Sequence, residues 1–300
     1  MANNIFKGMG VALATPFKKD GTIDENALRR LVCYQQDNGA DFFCILATTG
    51  ETPCLSSEEK NYIKNTVVEL TKGRIPILMG LGGNNTATVV EELKTTDLEG
   101  IDGILSVCPY YNKPSQEGLY QHFKTIAAAT ELPVVLYNVP GRTGVNMLPA
   151  TVVRLANDCE NIVAIKEASG MLEQVDEIIK HKPDTFDVLS GDDSLTYQIL
   201  ANGGVGVISV IGNALPKEFS RMVHLELDGD YESARKLHHR FTDLYDLLFV
   251  DGNPAGVKAL LHEMGYIENV LRLPLVSTRL TTIERISLAL RKLRLSLNNN

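Results

Sequence analysis

Eight short apolar runs, each followed by a segment patterned like a helix, constrain this 300-residue chain more than any other feature. They lie at 10–14, 41–47, 75–80, 103–108, 133–138, 162–166, 186–190 and 205–210. Each is rich in Val, Ile, Leu or small residues and nearly continuous in hydrophobicity, which suits strands covered on both faces. Between them, Leu28, Leu31 and Val32 follow a capping-box candidate, Thr22-x-x-Glu25. Ile63, Val67 and Leu70 follow a second, Ser56-x-x-Glu59, and Gly73 stops that stripe; Val89, Val90 and Leu93 repeat the pattern before Gly100. Strand ends recur about every 20 to 33 residues, the length of one strand–loop–helix unit. Eight units with right-handed crossovers predict an α/β fold, a closed (β/α)8 TIM barrel; a doubly wound open sheet is the alternative.

The strand pattern stops after about residue 215. Leu237, Phe241, Leu244 and Leu248 then share one helical face, as do Ile283, Ile286, Leu290, Leu293 and Leu297, with Pro254 and Pro274 interrupting. The expected organisation is a barrel over 1–222 and a C-terminal helical appendage of about three helices over 223–300. It packs on the barrel or on another subunit. No internal repeat is evident, and the only low-complexity stretch is the run of asparagines at 298–300.

A formal charge of −8 argues against a general nucleic-acid binder, which needs clustered Lys and Arg, so an anionic substrate would need a local cation. No apolar stretch approaches the roughly 20 residues of a membrane helix, and the start of the chain has neither an h-region nor a cleavage site. The five cysteines, Cys33, Cys44, Cys54, Cys108 and Cys159, are odd in number and form no C-x-x-C pair. They suit a reducing cytoplasm, with three of them reading as small core residues. The six histidines have no metal-ligand spacing, and none is assigned to a metal.

Barrel enzymes carry their reacting groups where strands give way to loops. Here those junctions read Ala47-Thr48-Thr49-Gly50-Glu51, Cys108-Pro109-Tyr110-Tyr111-Asn112, Tyr137-Asn138-Val139-Pro140-Gly141-Arg142-Thr143-Gly144, Lys166, Ser190-Gly191-Asp192-Asp193 and Gly206-Val207-Ile208-Ser209. Lys166 ends a buried run, where lost hydration disfavours the ammonium form and lowers the pKa. The neutral amine is a nucleophile toward carbonyls. Taken alone, such a lysine more often packs its stem in the core and snorkels its charge to the rim. Tyr137 alone can be a core aromatic with a satisfied hydroxyl, and Thr48 and Thr49 suit any strand end. Arg142 offers a planar fork for a carboxylate or is a surface cation. Asp192 and Asp193 read as the cap and first turn of a helix. Tyr110 and Tyr111 cannot both face one way along extended backbone.

In order and spacing, GVALATPF, TTGE, PYYNKPSQEGLYQHF, YNVPGRTG, IKEASG, SGDD, GVISV and NPAGVKALL resemble the pyruvate-dependent class I aldolase family, which includes the N-acetylneuraminate lyases. The likeness runs over essentially the whole chain. It implies that Lys166 forms an imine with pyruvate, with no separate cofactor, and that Tyr137 transfers protons against it. Thr49 and Tyr111 would complete a hydroxyl relay, Tyr111 reaching into a neighbouring subunit of a homotetramer built as a dimer of dimers. Thr48 and Thr49 would hold the pyruvate carboxylate, and the backbone at Gly191 and Ile208 would line its pocket. Imine chemistry needs a neutral amine and then an acid for the departing hydroxide; a tyrosine linked to other hydroxyls can move protons both ways.

Within the family, Arg142 and the Thr48-Thr49 pair favour the branch that condenses pyruvate with aspartate 4-semialdehyde to 4-hydroxy-tetrahydrodipicolinate, toward diaminopimelate and lysine. A sugar-acid aldolase is the alternative, and a silent barrel serving as a metabolite sensor is the non-enzyme alternative. Ala47 stands where a glycine is frequent. Pro53, Ser57, Lys60, Asn84, Thr88 and Tyr110 match the family's lysine-feedback site. Feedback-sensitive members carry a glutamate where Thr88 stands and a histidine where Lys60 stands, so weak or absent lysine inhibition is expected.

Overall fold

The computed structural model describes residues 5–298, so Met1–Asn4 and the end of the asparagine run lie outside it. The eight runs become β1 Gly8–Ala12, β2 Phe42–Ile45, β3 Ile77–Gly80, β4 Gly103–Val107, β5 Val134–Asn138, β6 Ile162–Glu167, β7 Asp187–Ser190 and β8 Gly206–Ser209. Every neighbouring pair is parallel, and β8 closes on β1 through pairs such as Gly8↔Gly206. The sheet therefore has no edge, and the open-sheet alternative is excluded. The run expected over 41–47 ends early because Leu46 turns into the left-handed region (φ 52°).

Side-chain alternation divides the strands between two cores. Phe42, Cys44, Leu78, Leu105, Val135 and Ile208 fill the barrel interior. Phe43, Ile45, Met79, Ile104, Leu136 and Ile165 face outward, against the helices. Those helices are α1 Glu25–Asp37, α2 Ser57–Thr71, α3 Thr86–Thr95, α4 Gln116–Ala127, the single turn α5 Pro140–Thr143, α6 Pro149–Asp158, α7 Leu172–His181, α8 Thr196–Ala201 and α9 Pro216–Leu227. Ser56 and Glu59 do form the expected capping box on α2. At α1 the cap is Asp24, whose carboxylate accepts from Ala27 N at 2.9 Å; Thr22 instead gives its hydroxyl to Asp20. An ionised carboxylate already placed one turn ahead is the better acceptor for the helix's free N–H groups.

Three helices follow: α10 Tyr231–Phe249, α11 Ala255–Glu263 and α12 Leu280–Asn298. Leu237, Phe241, Leu244 and Leu248 are buried, as are Ile286, Leu290 and Leu293, in the same continuous core that holds the outward face of the strands. Truncating the fully buried Phe241 to Ala should cost about 3–5 kcal/mol. Helix α9 runs across residue 222 and touches both β1 and α10. Among the described residues no helix is long and apolar enough to cross a membrane.

Candidate active site

The inward alternation of β6 presents Ala164 and Lys166 to the interior while Ile165 and Glu167 face the helices. Lys166 pairs in register with Tyr137 on β5, and both are buried. The Lys166 Nζ lies 4.3 Å from the centroid of the Tyr137 ring. Among the described residues no carboxylate forms an ion pair with Lys166. The adjacent Glu167 points away and accepts from Ser169 N at 2.7 Å, from Gln174 Nε2 at 3.1 Å and from Asn138 Nδ2 at 3.1 Å. Burial raises its pKa, against the pull of those donors. Cys44, also inside the barrel, is pushed up to about 11 by burial, so it stays a thiol.

A cleft of about 340 Å³ opens over this pair, walled by Thr48, Thr49, Tyr137, Arg142, Lys166 and Gly191. Gly191 has to be small: a Cβ there would sit 2.7 Å from Ala168 Cβ and 3.1 Å from Lys166 Cε. Thr48 and Thr49 open a 3-10 turn that ends at Gly50. The Thr49 hydroxyl accepts from Asn253 Nδ2 at 3.1 Å, and Arg142 Nη2 donates to the Asn253 backbone O at 3.4 Å. Asn253, just ahead of α11, thus joins two walls of the cleft. Sequence reasoning missed it; NPAGVKALL carried the signal, read there only as family likeness.

Other expected residues lie elsewhere. Ile208 belongs to the inner core rather than the cleft wall, where Ala12 and Val210 stand instead. Tyr111 is 90% exposed with φ 70°, and Tyr110 is 44% exposed; neither lines the cleft, so within one chain the relay stops short of Tyr111. Asp192 caps the turn after β7, accepting from Ser194 N at 2.8 Å. Asp193 does more than fill that turn: its buried carboxylate accepts from Val210 N at 3.0 Å and Ile211 N at 2.7 Å, pinning the end of β8. Burial pushes its pKa up to about 6. Of the six positions matching the family's lysine-feedback site, Asn84 and Tyr110 are joined, Asn84 Nδ2 donating to Tyr110 O at 3.1 Å; Pro53, Ser57 and Thr88 are exposed and Lys60 is half-buried.

A closed parallel barrel with a cleft at its mouth, in which Lys166 is the one primary amine among the described lining residues, is the architecture of a (β/α)8 barrel enzyme. Residues 5–292 match the profile of the dihydrodipicolinate synthetase family, and the chain belongs to that family. It is 61% identical over 295 residues to the 4-hydroxy-tetrahydrodipicolinate synthase of Phocaeicola vulgatus, covering 98% of this chain and 99% of that one. The crystal structure of dihydrodipicolinate synthase from Thermotoga maritima superposes with a TM-score of 0.95 at 42% identity, over 97% of this chain and all of the other. The chloride-inhibited enzyme from Acinetobacter baumannii, complexed with pyruvate, gives 0.94 at 40% identity, over 97% and 99% of the two chains.

Proposed function

We infer that this chain is a lyase of lysine biosynthesis that condenses pyruvate with aspartate semialdehyde. The near-complete match to a 4-hydroxy-tetrahydrodipicolinate synthase leaves the sugar-acid aldolase and the silent barrel without support. The observation that carries the mechanism is the shielded Lys166 beside Tyr137 at the foot of a cleft rimmed by Arg142.

In this reading the uncharged Lys166 amine adds to the pyruvate keto carbon, and the carbinolamine loses water to an iminium. The Tyr137 hydroxyl supplies the proton that leaves with that oxygen. It then helps take one from the pyruvyl methyl, and the iminium accepts the electron pair as an enamine forms. The enamine carbon adds to the aldehyde, whose oxygen takes up a proton as the iminium re-forms; the semialdehyde's own amine then attacks that iminium carbon and displaces the Lys166 amine, which frees the enzyme. Thr48 and Thr49 hold the pyruvate carboxylate, and Arg142 holds the carboxylate of the semialdehyde. Tyr111 extends the relay from a second copy in a homotetramer; its exposure on the β4–α4 loop, where no described group of its own chain covers it, supports that placement. The unpaired cysteines support a cytoplasmic setting.

Steady-state turnover with the two substrates tests the reading. Arg142→Ala should raise the aldehyde KM about 10- to 100-fold, the worth of a hydrogen-bonded charge, and leave imine formation with pyruvate intact. Equal losses for both substrates would overturn the assignment of Arg142.

A further inference from the structure

Glu51 follows the Thr48–Gly50 turn directly, in the left-handed backbone region (φ 55°) and only 2% exposed. A non-glycine residue keeps that conformation only where its surroundings hold it. The holding comes from the far end of the chain. The Glu51 carboxylate forms an ion pair with Lys258 of α11, itself fully buried, and accepts from Arg272 N at 3.0 Å. Lys258 also donates to Val270 O at 2.9 Å and lies 4.2 Å from the Phe17 ring centroid. On the other face of the network Arg272 bonds Glu59 Oε2 at 2.7 Å and the backbone oxygens of Gly21 and Cys54, each at 2.9 Å. Beside it the same tail sends Asn253 to the Thr49 hydroxyl.

A buried ion pair is a poor device for stability alone, since apolar residues of like volume often do as well. It is a good device for fixing one geometry, because each partner tolerates only the position of the other. The geometry fixed here is that of the turn carrying Thr48 and Thr49.

We propose that the Glu51–Lys258 pair is a positioning clasp, by which the C-terminal helix α11 sets the Thr48–Thr49 turn for the carboxylate of the first substrate. Neither residue is among the described residues that line the cleft. The proposal rests on the reading of Thr48 and Thr49 as the pyruvate carboxylate site.

Lys258→Met alone would strand a buried carboxylate and threaten the fold, so the decisive variant is Glu51→Gln with Lys258→Met. That pair removes both charges at nearly constant volume, and Gln still offers an acceptor to Arg272 N. Its folding is checked by circular dichroism and melting. The expected result is a folded enzyme whose pyruvate KM is about 10- to 100-fold higher, the worth of weakened hydrogen bonds to the substrate's charged carboxylate, with kcat falling less. Borohydride trapping of pyruvate should half-saturate at a correspondingly higher concentration. A folded double variant with pyruvate half-saturation within about twofold of wild type, whatever its melting temperature, would overturn the clasp. Wild type trapped in parallel separates the two readings: an unlabelled wild type sinks the Lys166 mechanism and the clasp with it, whereas a labelled wild type with an unchanged variant sinks the clasp alone.

Discussion

Tyr137 faces Lys166 because β6 carries one residue more than β5 requires. Val134 pairs with Ile162, but Val135 pairs with Ala164, so the register slips by one at Val163. Without that irregularity Tyr137 would stand opposite Ile165, whose side chain faces the helices. Bulges of this kind re-aim a side chain next to a site, and here two inward residues, one aromatic and one basic, are brought into contact.

Tyr137→Phe keeps the ring against Lys166 and removes only the hydroxyl. The variant should fold normally and lose about 10²- to 10⁴-fold in kcat, the worth of a positioned proton donor. Steady-state kinetics beside a melting curve checks this. Near wild-type turnover would remove Tyr137 from the proton path.

Much of the fold could be read from the sequence because strands buried on both faces leave unbroken apolar runs, whereas the amphipathic helices between them do not. The junction residues Lys166, Tyr137, Thr49 and Arg142 were legible as polar tips on those runs and as motifs of a family. What the sequence hid is long-range or sub-periodic. The slip at Val163 lies inside a run that reads as unbroken. Asn253 reaches Thr49 across 204 residues, and Lys258 reaches Glu51 across 207. At α1, two nearby polar residues competed as cap, and spacing alone chose Thr22 where the backbone chose Asp24.

Asp193 should make stability depend on pH in an unusual direction. Burial raises its folded pKa to about 6, above the value of about 3.9 in an unfolded chain. Its contribution is full below pH about 4, where both states are protonated, and is lost as pH rises through 6. Relative to Asp193→Asn, which keeps an acceptor for Val210 N and Ile211 N, wild type should lose about 3 kcal/mol between those limits. Paired denaturation curves from pH 4 to 7 measure it; a gap independent of pH would refute the assignment.

Lysine should be a weak inhibitor or none. Thr88 offers no carboxylate to an incoming ammonium, and Lys60 adds a like charge at the position matching the feedback site. Initial rates across a lysine series test this, and half-maximal inhibition at submillimolar lysine would contradict it.

The mechanism turns on which nitrogen bonds to pyruvate. Borohydride reduction in the presence of pyruvate, followed by peptide mass mapping, reads that directly. The predicted result is one reduced pyruvyl adduct, on the peptide containing Lys166, absent from Lys166→Ala. An adduct on Lys258 or any other lysine, or a wild-type chain that takes up none, would contradict it.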